Sequence, residues 1–509
     1  MPSPRILPAL LAALLLIGVS HPVHGEPRGT QVILIVLDGL RPDYVTPRLM
    51  PNLHALSQEG VVFEKHHAAF PTVTRVNAST IATGTYPDRH GIVDNSVYFP
   101  GVEPDKTLST GSKGDLEKIN THTGGNLLTA ESLGEVLARQ GKKTGVFSSG
   151  SSGSAYLLNH KVPNGVVINN GFILPESLSA SLLPRMGETP PDASPNRERN
   201  ARIVRTFLDY GLNELNADLS ILWISDPDHT GHEYGMSTPE TTQALRLADD
   251  EIGKIAVELK RTGRMATTNL LITSDHGFST HTLKSDPAEV IRAFEAAQGL
   301  PANSIILTGS CIYLKDIAKA SLPALVATLQ ATPWVGPIFT QAKAPGSTEG
   351  LVAGTLALDI VREMHPERAP DIVLSPVWSD EKGASGFAGT VADTEAAGHG
   401  SASPWDVHNT LIALGPDFAA RRLCGIPSHA VDLAPTICHL LGVQPANTME
   451  GRILYEGLAE SDPSPPAEIT TRTIRADSTL DGGVRYQMEV SLSAYRGITY
   501  FDQAKGWRE

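Results

Sequence analysis

Cysteine is scarce in this chain of 509 residues, which contains only Cys311, Cys424 and Cys438. Three thiols form at most one bridge, so a disulfide scaffold is excluded, and no C-x-x-C zinc pattern occurs. Cys424 and Cys438 are the closer pair in sequence, and both a bridge between them and two free buried thiols fit the pattern. With 41% apolar and 19% charged residues, the composition is that of a globular protein with a large core.

An excess of basic residues is also missing. Lys and Arg number 41 against 55 Asp and Glu, which gives a formal net charge of −14 with histidine neutral. Proteins that coat nucleic acid carry a basic excess, so this balance argues against that class, although it is compatible with a local basic patch. We therefore expect no nucleic-acid coating.

Long apolar runs are absent after the first 25 residues, and the run inside them is short. Arg5 is followed by ILPALLAALLLIGV over residues 6–19, which is too short to span a bilayer comfortably as a helix. The positive flank, the short apolar run and the small residue Gly25 predict a secretory signal peptide over residues 1–25. An uncleaved anchor is the alternative. The mature protein is then expected to be secreted or periplasmic, with no membrane span after signal cleavage.

Shorter apolar runs are present, and each ends in acidic or histidine residues. Their sequences do not alternate between apolar and polar, which is typical of central strands covered on both faces. They occupy residues 31–37 before Asp38-Gly39, residues 219–225 before Asp226-Pro227-Asp228, and residues 269–274 before Asp275-His276-Gly277.

Helical patterns that stop at glycine lie between these runs. They occupy residues 50–59, residues 131–140, which are followed by a short strand TGVFSS, and residues 432–441. Alternating strands and helices predict an α/β fold with a mostly parallel central sheet and helices on both faces. Ligands bind beyond the carboxyl ends of the strands in such sheets, and the acidic clusters stand there.

Other stretches break this alternation. Residues 96–126 and 149–200 are rich in Gly, Ser, Asn and Pro and are predicted to form loops around the mouth of the site. We expect a signal peptide over 1–25, a catalytic core over 26–280 and 371–445, an inserted cap over 281–370, and a C-terminal extension over 446–509. In that extension, a Pro/Ser-rich segment from about Ser461 precedes an alternating, strand-like pattern.

Six Asp and His residues form a candidate metal site. Carboxylate oxygens mixed with imidazole nitrogens suit zinc or another first-row metal, and six such ligands suffice for two ions. Singly, each residue has a plainer interpretation: a turn or cap for Asp38, a loop for Asp228–His232 because of Pro227 and Gly231, and an ordinary turn for His399. The six residues are Asp38, Asp228, His232, Asp275, His276 and His399.

A candidate nucleophile lies in FPTVTRVNASTIATGTYPDRHGIVDN, residues 70–95. This stretch is a Thr-rich turn that enters a helix of small residues, with Thr74 near the helix start. A hydroxyl in that position either caps the helix or, next to a metal, becomes an activated nucleophile.

Five separated stretches together resemble one family. The chain is similar to the nucleotide pyrophosphatase/phosphodiesterase (type I phosphodiesterase) family of the alkaline phosphatase superfamily, and the resemblance implies an alkaline phosphatase-like fold. The stretches span residues 32–418 in the family's order: VLDGLRPD, the 70–95 segment, DPDHTGHEYG, SDHGF, and GHGS followed by a strand and GPDF.

The resemblance implies a role for each candidate residue. It assigns two Zn²⁺ ions and a phospho-threonine intermediate that water hydrolyses. Thr74 is implied to be both a metal ligand and the attacking group, and Asn95 to bind a phosphoryl oxygen. Asp226 and His229 match no ligand position and are predicted to be turn or supporting residues. The ligands implied are Asp228, His232 and His399 for one ion, and Asp38, Asp275, His276 and Thr74 for the other.

Departures from the family pattern bear on the substrate. Nucleotide-cleaving relatives often carry an aromatic residue directly after the nucleophile, where this chain has Arg75. Monoester- and phosphonate-cleaving relatives place a pair of cations in a loop that corresponds here to SSGSSGSAYL, residues 148–157, which has none. These features favour a diester or a pyrophosphate over a monoester. No sulfatase motif C/S-x-P-x-R occupies position 74.

The sequence therefore predicts an exported two-zinc hydrolase of phosphodiester or phosphoanhydride bonds. Its substrate would be a small phosphate ester or a nucleotide, and its oligomeric state is open. A phosphomonoesterase or phosphonate hydrolase is the alternative, with Arg75 supplying the missing cation. A non-catalytic zinc-binding protein on the same fold is disfavoured, because all seven ligand and nucleophile positions are intact.

Overall fold

The structure is a computed structural model that describes residues 29–282, 285–460 and 468–509. The signal peptide predicted over residues 1–25 lies outside these residues. Within the described ranges, no helix combines the length and the apolar character needed to cross a membrane.

A nine-stranded sheet forms the centre of the fold. Its five middle strands are mutually parallel, and the strand Gln31–Leu37 lies between two partners that it pairs with along its length. The predicted mostly parallel sheet is confirmed. In spatial order the strands are Arg422–Cys424, Val61–Phe63, Leu411–Leu414, Thr268–Thr273, Gln31–Leu37, Leu219–Ile224, Thr144–Ser148, Gly165–Asn169 and Ile173–Leu174.

Helices cover both faces of this sheet, as predicted. Because side chains alternate along a strand, Val32, Leu34 and Val36 pack on one side while Ile33, Ile35 and Leu37 pack on the other. The first face is covered by Thr74–Thr83, Leu133–Arg139, Ser152–Leu158 and Leu433–Leu440. The second is covered by Pro51–Glu59, Arg197–Thr206 with its continuation Phe207–Leu215, and Pro239–Arg261.

The three cysteines are buried and free. Cys424 and Cys438 both belong to the apolar core on the first face of the sheet. Of the two alternatives that the sequence leaves open, free thiols are the one observed.

The prediction that residues 96–126 and 149–200 form loops is wrong for much of both stretches. Serine side chains cap helices there, with Ser112 accepting from Asp115 and Ser151 from Ser154. Glycine allows the chain to pack closely there, because a Cβ on Gly153 would lie 1.9 Å from the carbonyl oxygen of Thr110. The elements are the strands Ser96–Tyr98, Thr107–Ser109, Gly165–Asn169 and Ile173–Leu174 and the helices Lys113–His122, Ser152–Leu158 and Ser179–Met186.

A second sheet of five strands occupies much of the predicted cap region. Two helices, Pro287–Ala297 and Leu322–Ala331, pack on its core. One of its strands, Ile372–Pro376, follows the boundary predicted at residue 370, and the domain limits themselves stay a prediction. In spatial order its strands are Ile305–Thr308, Cys311–Leu314, Ile372–Pro376, Val335–Thr340 and Leu356–Ala357.

Smaller sheets complete the fold. The strand-like pattern near the C-terminus is confirmed by three antiparallel strands, Thr470–Thr479, Arg485–Tyr495 and Ile498–Arg508. A four-stranded sheet contains Trp378–Lys382, Ala388–Val391, Ser279–His281 and Ala397–Gly398, and a three-stranded one contains His408–Asn409, His66–His67 and Ser428–His429. Three short helices, Pro87–His90, Asp228–Tyr234 and Pro404–Val407, lie elsewhere in the chain.

Candidate metal centre

Residues from four parts of the chain meet at the carboxyl edge of the central sheet. Asp38 directly follows the strand Gln31–Leu37, and Asp275 and His276 lie just after Thr268–Thr273. Asp228 is the first residue of a short helix, and His399 comes directly after the strand Ala397–Gly398. Parallel neighbouring strands end at one edge, so residues distant in sequence become neighbours here.

Asp38, Asp275 and His276 form one compact group. Their ligand atoms lie within 4.8 Å of one another. His276 Nε2 is 3.1 Å from Asp275 Oδ2 and 3.4 Å from Asp38 Oδ1. The second polar atoms of Asp38 and His276 are hydrogen-bonded outside the group. Asp38 Oδ2 accepts from Trp223 Nε1 at 2.9 Å, and His276 Nδ1 donates to the carbonyl of Gly277 at 2.9 Å. One atom of each side chain therefore faces the centre of the group.

Asp228 is the centre of the second group. Its Oδ1 lies 3.2 Å from His232 Nε2 and 3.3 Å from His399 Nε2. His232 Nδ1 donates to Glu395 Oε2 at 2.6 Å, and His399 Nδ1 donates to the carbonyl of Thr72 at 2.8 Å. Bonds of this kind orient an imidazole so that its other nitrogen is presented to a metal.

The two groups touch through their histidines. The rings of His276 and His399 are stacked, with centroids 3.5 Å apart. Asp228, His276 and His399 also bring their ligand atoms within 4.8 Å of one another. The geometry thus places His276 beside both groups, whereas the resemblance assigns His232 to the ion at Asp228. The assignment of individual ligands stays a prediction.

The chemistry of this donor set fits metal ions. One oxygen each of Asp38, Asp228 and Asp275 is buried without a hydrogen-bond partner. Burial raises the pKa of Asp38 well above its usual value, and the nearby carboxylates of Asp275 and Asp228 raise it further. Buried carboxylates grouped in this way need positive charge. Mixed oxygen and nitrogen donors without thiolate suit zinc-like ions.

The prediction that Asp228 and His232 lie in a loop is wrong, because Asp228–Tyr234 is a helix. Pro227 precedes its first residue, a position where its lost N–H does no harm. Gly231 makes room for a ring, since a Cβ there would lie 3.0 Å from Phe278. The spacing of four residues then places Asp228 and His232 on one helical face.

Thr74 lies beside the first group. It is the first residue of the helix Thr74–Thr83 and is 4% exposed. Its Oγ1 is 3.3 Å from His276 Nε2. The cap position belongs to Val73, and no side chain caps this helix. The hydroxyl therefore faces the candidate metal centre rather than the helix end.

Asn95 and Arg75 are linked next to the nucleophile. Asn95 Oδ1 accepts from the backbone N–H of Arg75 at 3.0 Å. Burial lowers the pKa of the Arg75 guanidinium, whereas Asp38, Asp228 and Asp275 raise it, which places the guanidinium in the field of the metal-centre carboxylates. Its Nε is buried without a hydrogen-bond partner.

Asp226 and His229 stand outside both groups, in agreement with the interpretation of them as supporting residues. Asp226 accepts from the backbone N–H of Asn196 and from Asn200 Nδ2, both at 2.9 Å, and from Thr230 Oγ1 at 2.7 Å. His229 Nε2 lies 3.7 Å from Asp192. Asp226 therefore anchors the start of the helix that carries Asp228.

The sequence analysis did not identify the residues that hydrogen-bond to the candidate ligands. Trp223, Glu395 and the carbonyl of Thr72 each bond a candidate ligand, but each is separated from it by at least 163 positions, so no local spacing signals the contact. A cation near residues 148–157 was also missed. Lys113 Nζ lies 5.5 Å from the ring centroid of Tyr156, although it pairs with Glu117.

The fold and the two groups define an α/β protein with a candidate metal centre at the carboxyl edge of its central sheet. A family model described as type I phosphodiesterase / nucleotide pyrophosphatase matches residues 32–375. The chain belongs to this family, which confirms the resemblance found in the sequence.

Characterised relatives match over part of their length. Human ectonucleotide pyrophosphatase/phosphodiesterase family member 7 is 28% identical over 278 residues, 54% of each chain. The venom phosphodiesterase CdcPDE of Crotalus durissus collilineatus is 29% identical over 248 residues, 48% of this chain and 26% of that protein. The chain thus spans about half, or less, of the length of these relatives.

Solved structures show the same fold. Murine ectonucleotide pyrophosphatase/phosphodiesterase 5, as an inactive variant in complex with AMP, aligns with a TM-score of 0.57 at 19% identity, over 82% of this chain and 96% of that one. The human form of that protein aligns with a TM-score of 0.57 at 20% identity, over 84% and 98%. The predicted fold class is confirmed.

Proposed function

We propose that this protein is an exported two-zinc hydrolase that cleaves phosphodiester or phosphoanhydride bonds through a phospho-threonine intermediate. Family membership supports the class of reaction. The observation that carries the proposal is the position of Thr74, whose hydroxyl lies 3.3 Å from His276 Nε2 beside grouped carboxylates. A buried hydroxyl aimed at a candidate metal centre is the arrangement that an activated nucleophile needs.

Each residue has a distinct task in this proposal. Thr74 Oγ attacks phosphorus and forms a new P–O bond while the bond to the leaving oxygen breaks, and water then cleaves the threonine ester. Asn95, held by the N–H of Arg75, binds a non-bridging phosphoryl oxygen. Bound metal ions would stabilise both the attacking and the leaving oxygens. They would be held by Asp228, His232 and His399 and by Asp38, Asp275 and His276.

A diester fits this site better than a monoester. A monoester dianion brings one more negative charge, which needs an additional cation. Lys113 is engaged by Glu117 and by aromatic rings, which leaves Arg75, whose guanidinium lies in the field of the metal-centre carboxylates, as the candidate cation. If Arg75 serves a terminal phosphate, the monoesterase alternative gains support.

The substrate class is tested by comparing bis(4-nitrophenyl) phosphate with 4-nitrophenyl phosphate on the zinc-loaded full-length protein. We expect the higher kcat/KM for the diester. A monoester preference of tenfold or more, about 1.4 kcal/mol of transition-state discrimination, would overturn the diester assignment. In the monoesterase case, Arg75→Ala would depress monoester hydrolysis far more than diester hydrolysis.

The nucleophile and the metals are tested separately. Thr74→Ala should abolish turnover with the circular dichroism spectrum unchanged, and Thr74→Ser should keep part of the activity because the hydroxyl survives. Near-normal activity of Thr74→Ala would remove Thr74 from the mechanism. Elemental analysis should find two zinc ions per chain, and only trace metal after zinc reconstitution would contradict the metal assignment.

Export is tested on protein recovered from outside the cytoplasm of its host. We expect its N-terminus to lie close to Glu26, because the signal peptide is predicted over residues 1–25. A product that retains residues 1–25 would support the anchor alternative.

A further inference from the structure

A cavity of about 320 Å³ opens directly beside the metal centre. One wall contains His399, a candidate ligand, and Val73, the residue before the nucleophile. Other lining residues belong to the second sheet or flank its strands, and they include Leu374 and Trp334. The volume falls within the range of small-molecule sites, about 300–1,000 Å³.

The position of this cavity relative to Thr74 indicates which part of a substrate it would hold. In an in-line displacement at phosphorus, the leaving oxygen departs on the side opposite the attacking oxygen. Thr74 Oγ1 lies next to His276, in the group formed with Asp38 and Asp275. The lining of the cavity includes His399, which contacts Asp228 of the second group, and none of the three ligands of the first group. A leaving group that departs on the side of Asp228 would enter this cavity.

About half of the residues that line the cavity are apolar, and one of these is a large aromatic side chain. Trp334 is half-buried, and Leu307, Leu374 and Val391 lie around it in the same lining. This apolar part of the lining favours an aromatic or aliphatic group.

The charged side chains in the described lining are carboxylates. Asp94 is buried, and its Oδ2 accepts from both the N–H and the hydroxyl of Ser310 at 2.9 and 2.8 Å. Asp393 is half-buried, and its Oδ1 accepts from the N–H of Thr394 at 2.6 Å. Burial raises the pKa of Asp94, whereas Asp393 is only half-buried. A negatively charged leaving group would be repelled in this cavity.

We propose that this cavity binds the leaving group and selects diesters whose leaving alcohol is aromatic or apolar and carries no negative charge. Phosphoanhydrides, whose leaving group is itself a phosphate, are then poor substrates. This inference rests on the proposed function and narrows it from both bond types to the phosphodiester. The departing alkoxide takes a proton from water, so the products are an alcohol and, after hydrolysis of the threonine ester, a phosphate monoester.

The test uses methyl aryl phosphodiesters that share the retained methyl group and differ only in the leaving phenol. One phenol is neutral and the other carries a sulfonate, and the two are matched in pKa so that the chemical step is equally demanding. For the zinc-loaded full-length protein we expect kcat/KM to favour the neutral phenol by at least tenfold. Asp393→Asn should reduce that ratio at least threefold by improving hydrolysis of the sulfonated diester.

A second arm tests the tryptophan. Trp334→Ala should raise KM for the neutral diester severalfold, and it should weaken binding of that diester to zinc-loaded Thr74→Ala protein, measured by calorimetry. Two controls lie outside the cavity lining: Trp507→Ala removes another half-buried tryptophan, and Asp481→Asn neutralises an exposed carboxylate. Both should behave as their parent proteins in every measurement.

Failure of this inference and failure of the proposed function give different results. If no diester is cleaved by the zinc-loaded protein, the proposed function fails. If diesters are cleaved but the sulfonated phenol is equal or preferred, or Trp334→Ala changes neither KM nor binding, the cavity does not select the leaving group and the proposed function stands.

Discussion

Single residues behind the ligands hold the candidate metal centre in place. Trp223 donates to Asp38, and Glu395 accepts from His232. The candidate ligands could be predicted from sequence because they follow apolar strands or lie in family motifs. Glu395 could not, because it lies in a stretch of strands and turns that meets His232 only across 163 positions of chain.

Glu395→Gln should weaken zinc binding without unfolding the protein. The 2.6 Å bond from His232 Nδ1 orients the imidazole, and loss of such a carboxylate partner weakens metal affinity by about 10–100-fold. Competition with a chromophoric chelator measures the affinity. Glu381→Gln, an exposed carboxylate in the strand Trp378–Lys382, is the control. An unchanged affinity in Glu395→Gln would show that Glu395 does not position His232.

Four histidines outside the metal centre form a second, largely buried group. His66, His67, His408 and His429 belong to the three-stranded sheet of short strands. Burial lowers the pKa of His67 and of His408 to about 4 and that of His429 to about 3. A histidine of ordinary pKa in the unfolded chain then binds a proton more readily than in the folded one. The stability that these residues contribute is fully present above pH of about 6.5 and is lost as pH falls towards 4.

His408→Gln should make the protein less sensitive to acid. Each histidine of this kind contributes at most about 1.4 kcal/mol per pH unit to the slope of the unfolding free energy. We expect the slope between pH 6.5 and 4 to fall by up to that amount in the variant, measured by urea unfolding. Asp502, 3.6 Å from His67 and with a pKa raised to about 6, opposes the trend in both proteins. An equal slope in His408→Gln, or the same change in exposed His122→Gln, would contradict this prediction.

At the scale of elements, the loop predictions fail mainly in segments rich in small residues. Continuous apolar runs identified the central strands, because a strand buried on both faces needs no polar alternation. Gly- and Ser-rich segments suggested loops, yet in Ser152–Leu158 these residues allow a helix to lie against the backbone of residues 110–111. Composition alone does not distinguish a solvent-exposed loop from such a tightly packed element.

Gly153→Ala should destabilise the protein although alanine favours helices. The added Cβ would lie 1.9 Å from the carbonyl oxygen of Thr110, so the helix or the 110–111 backbone must shift. We expect a loss of about 1–3 kcal/mol in unfolding free energy, as for other overpacked sites. Because Gly111 lies close to the Arg75 guanidinium, diester hydrolysis should also fall.

Gly114→Ala is the matched control for this change. Its Cβ would meet nothing nearer than Ser112 Oγ at 3.8 Å, so the helix Lys113–His122 should gain up to about 1 kcal/mol. Equal stability of the two variants in urea unfolding would contradict the packing argument.

At the scale of the whole molecule, the metal centre joins separate parts of the chain. Asp38, Asp228 and Asp275 come from three separate segments of the chain, and His399 comes from a fourth. The sequence predicted the core sheet that makes this possible. It did not predict how the second sheet and the C-terminal sheet share one apolar core, because Tyr486, Met488 and Val490 meet Ile338 and Phe339 only through long-range packing.

Metal removal should therefore lower the stability of the whole protein. Without cations, the grouped carboxylates of Asp38, Asp228 and Asp275 repel one another, and a ligand that binds only the folded state adds about 2.7 kcal/mol at 100 times its Kd. Calorimetry after exhaustive chelation should show a lower Tm that zinc restores. Asp275→Asn should respond to zinc less than the wild type, whereas exposed Asp481→Asn should respond equally. A Tm that chelation leaves unchanged would argue against a structural contribution of metal.

The central place of the strand Gln31–Leu37 has a consequence for biosynthesis. Both of its neighbours come much later in the chain, and the bond from Trp223 to Asp38 joins residues 185 positions apart. Ribosomes add about 5–20 residues per second, so on the order of ten to forty seconds pass before Trp223 follows Asp38 out of the ribosome. During that interval six consecutive apolar residues, Val32 to Leu37, are translated but unpaired. The nascent chain is then most prone to aggregation while its first half is being made, well before the metal centre can assemble.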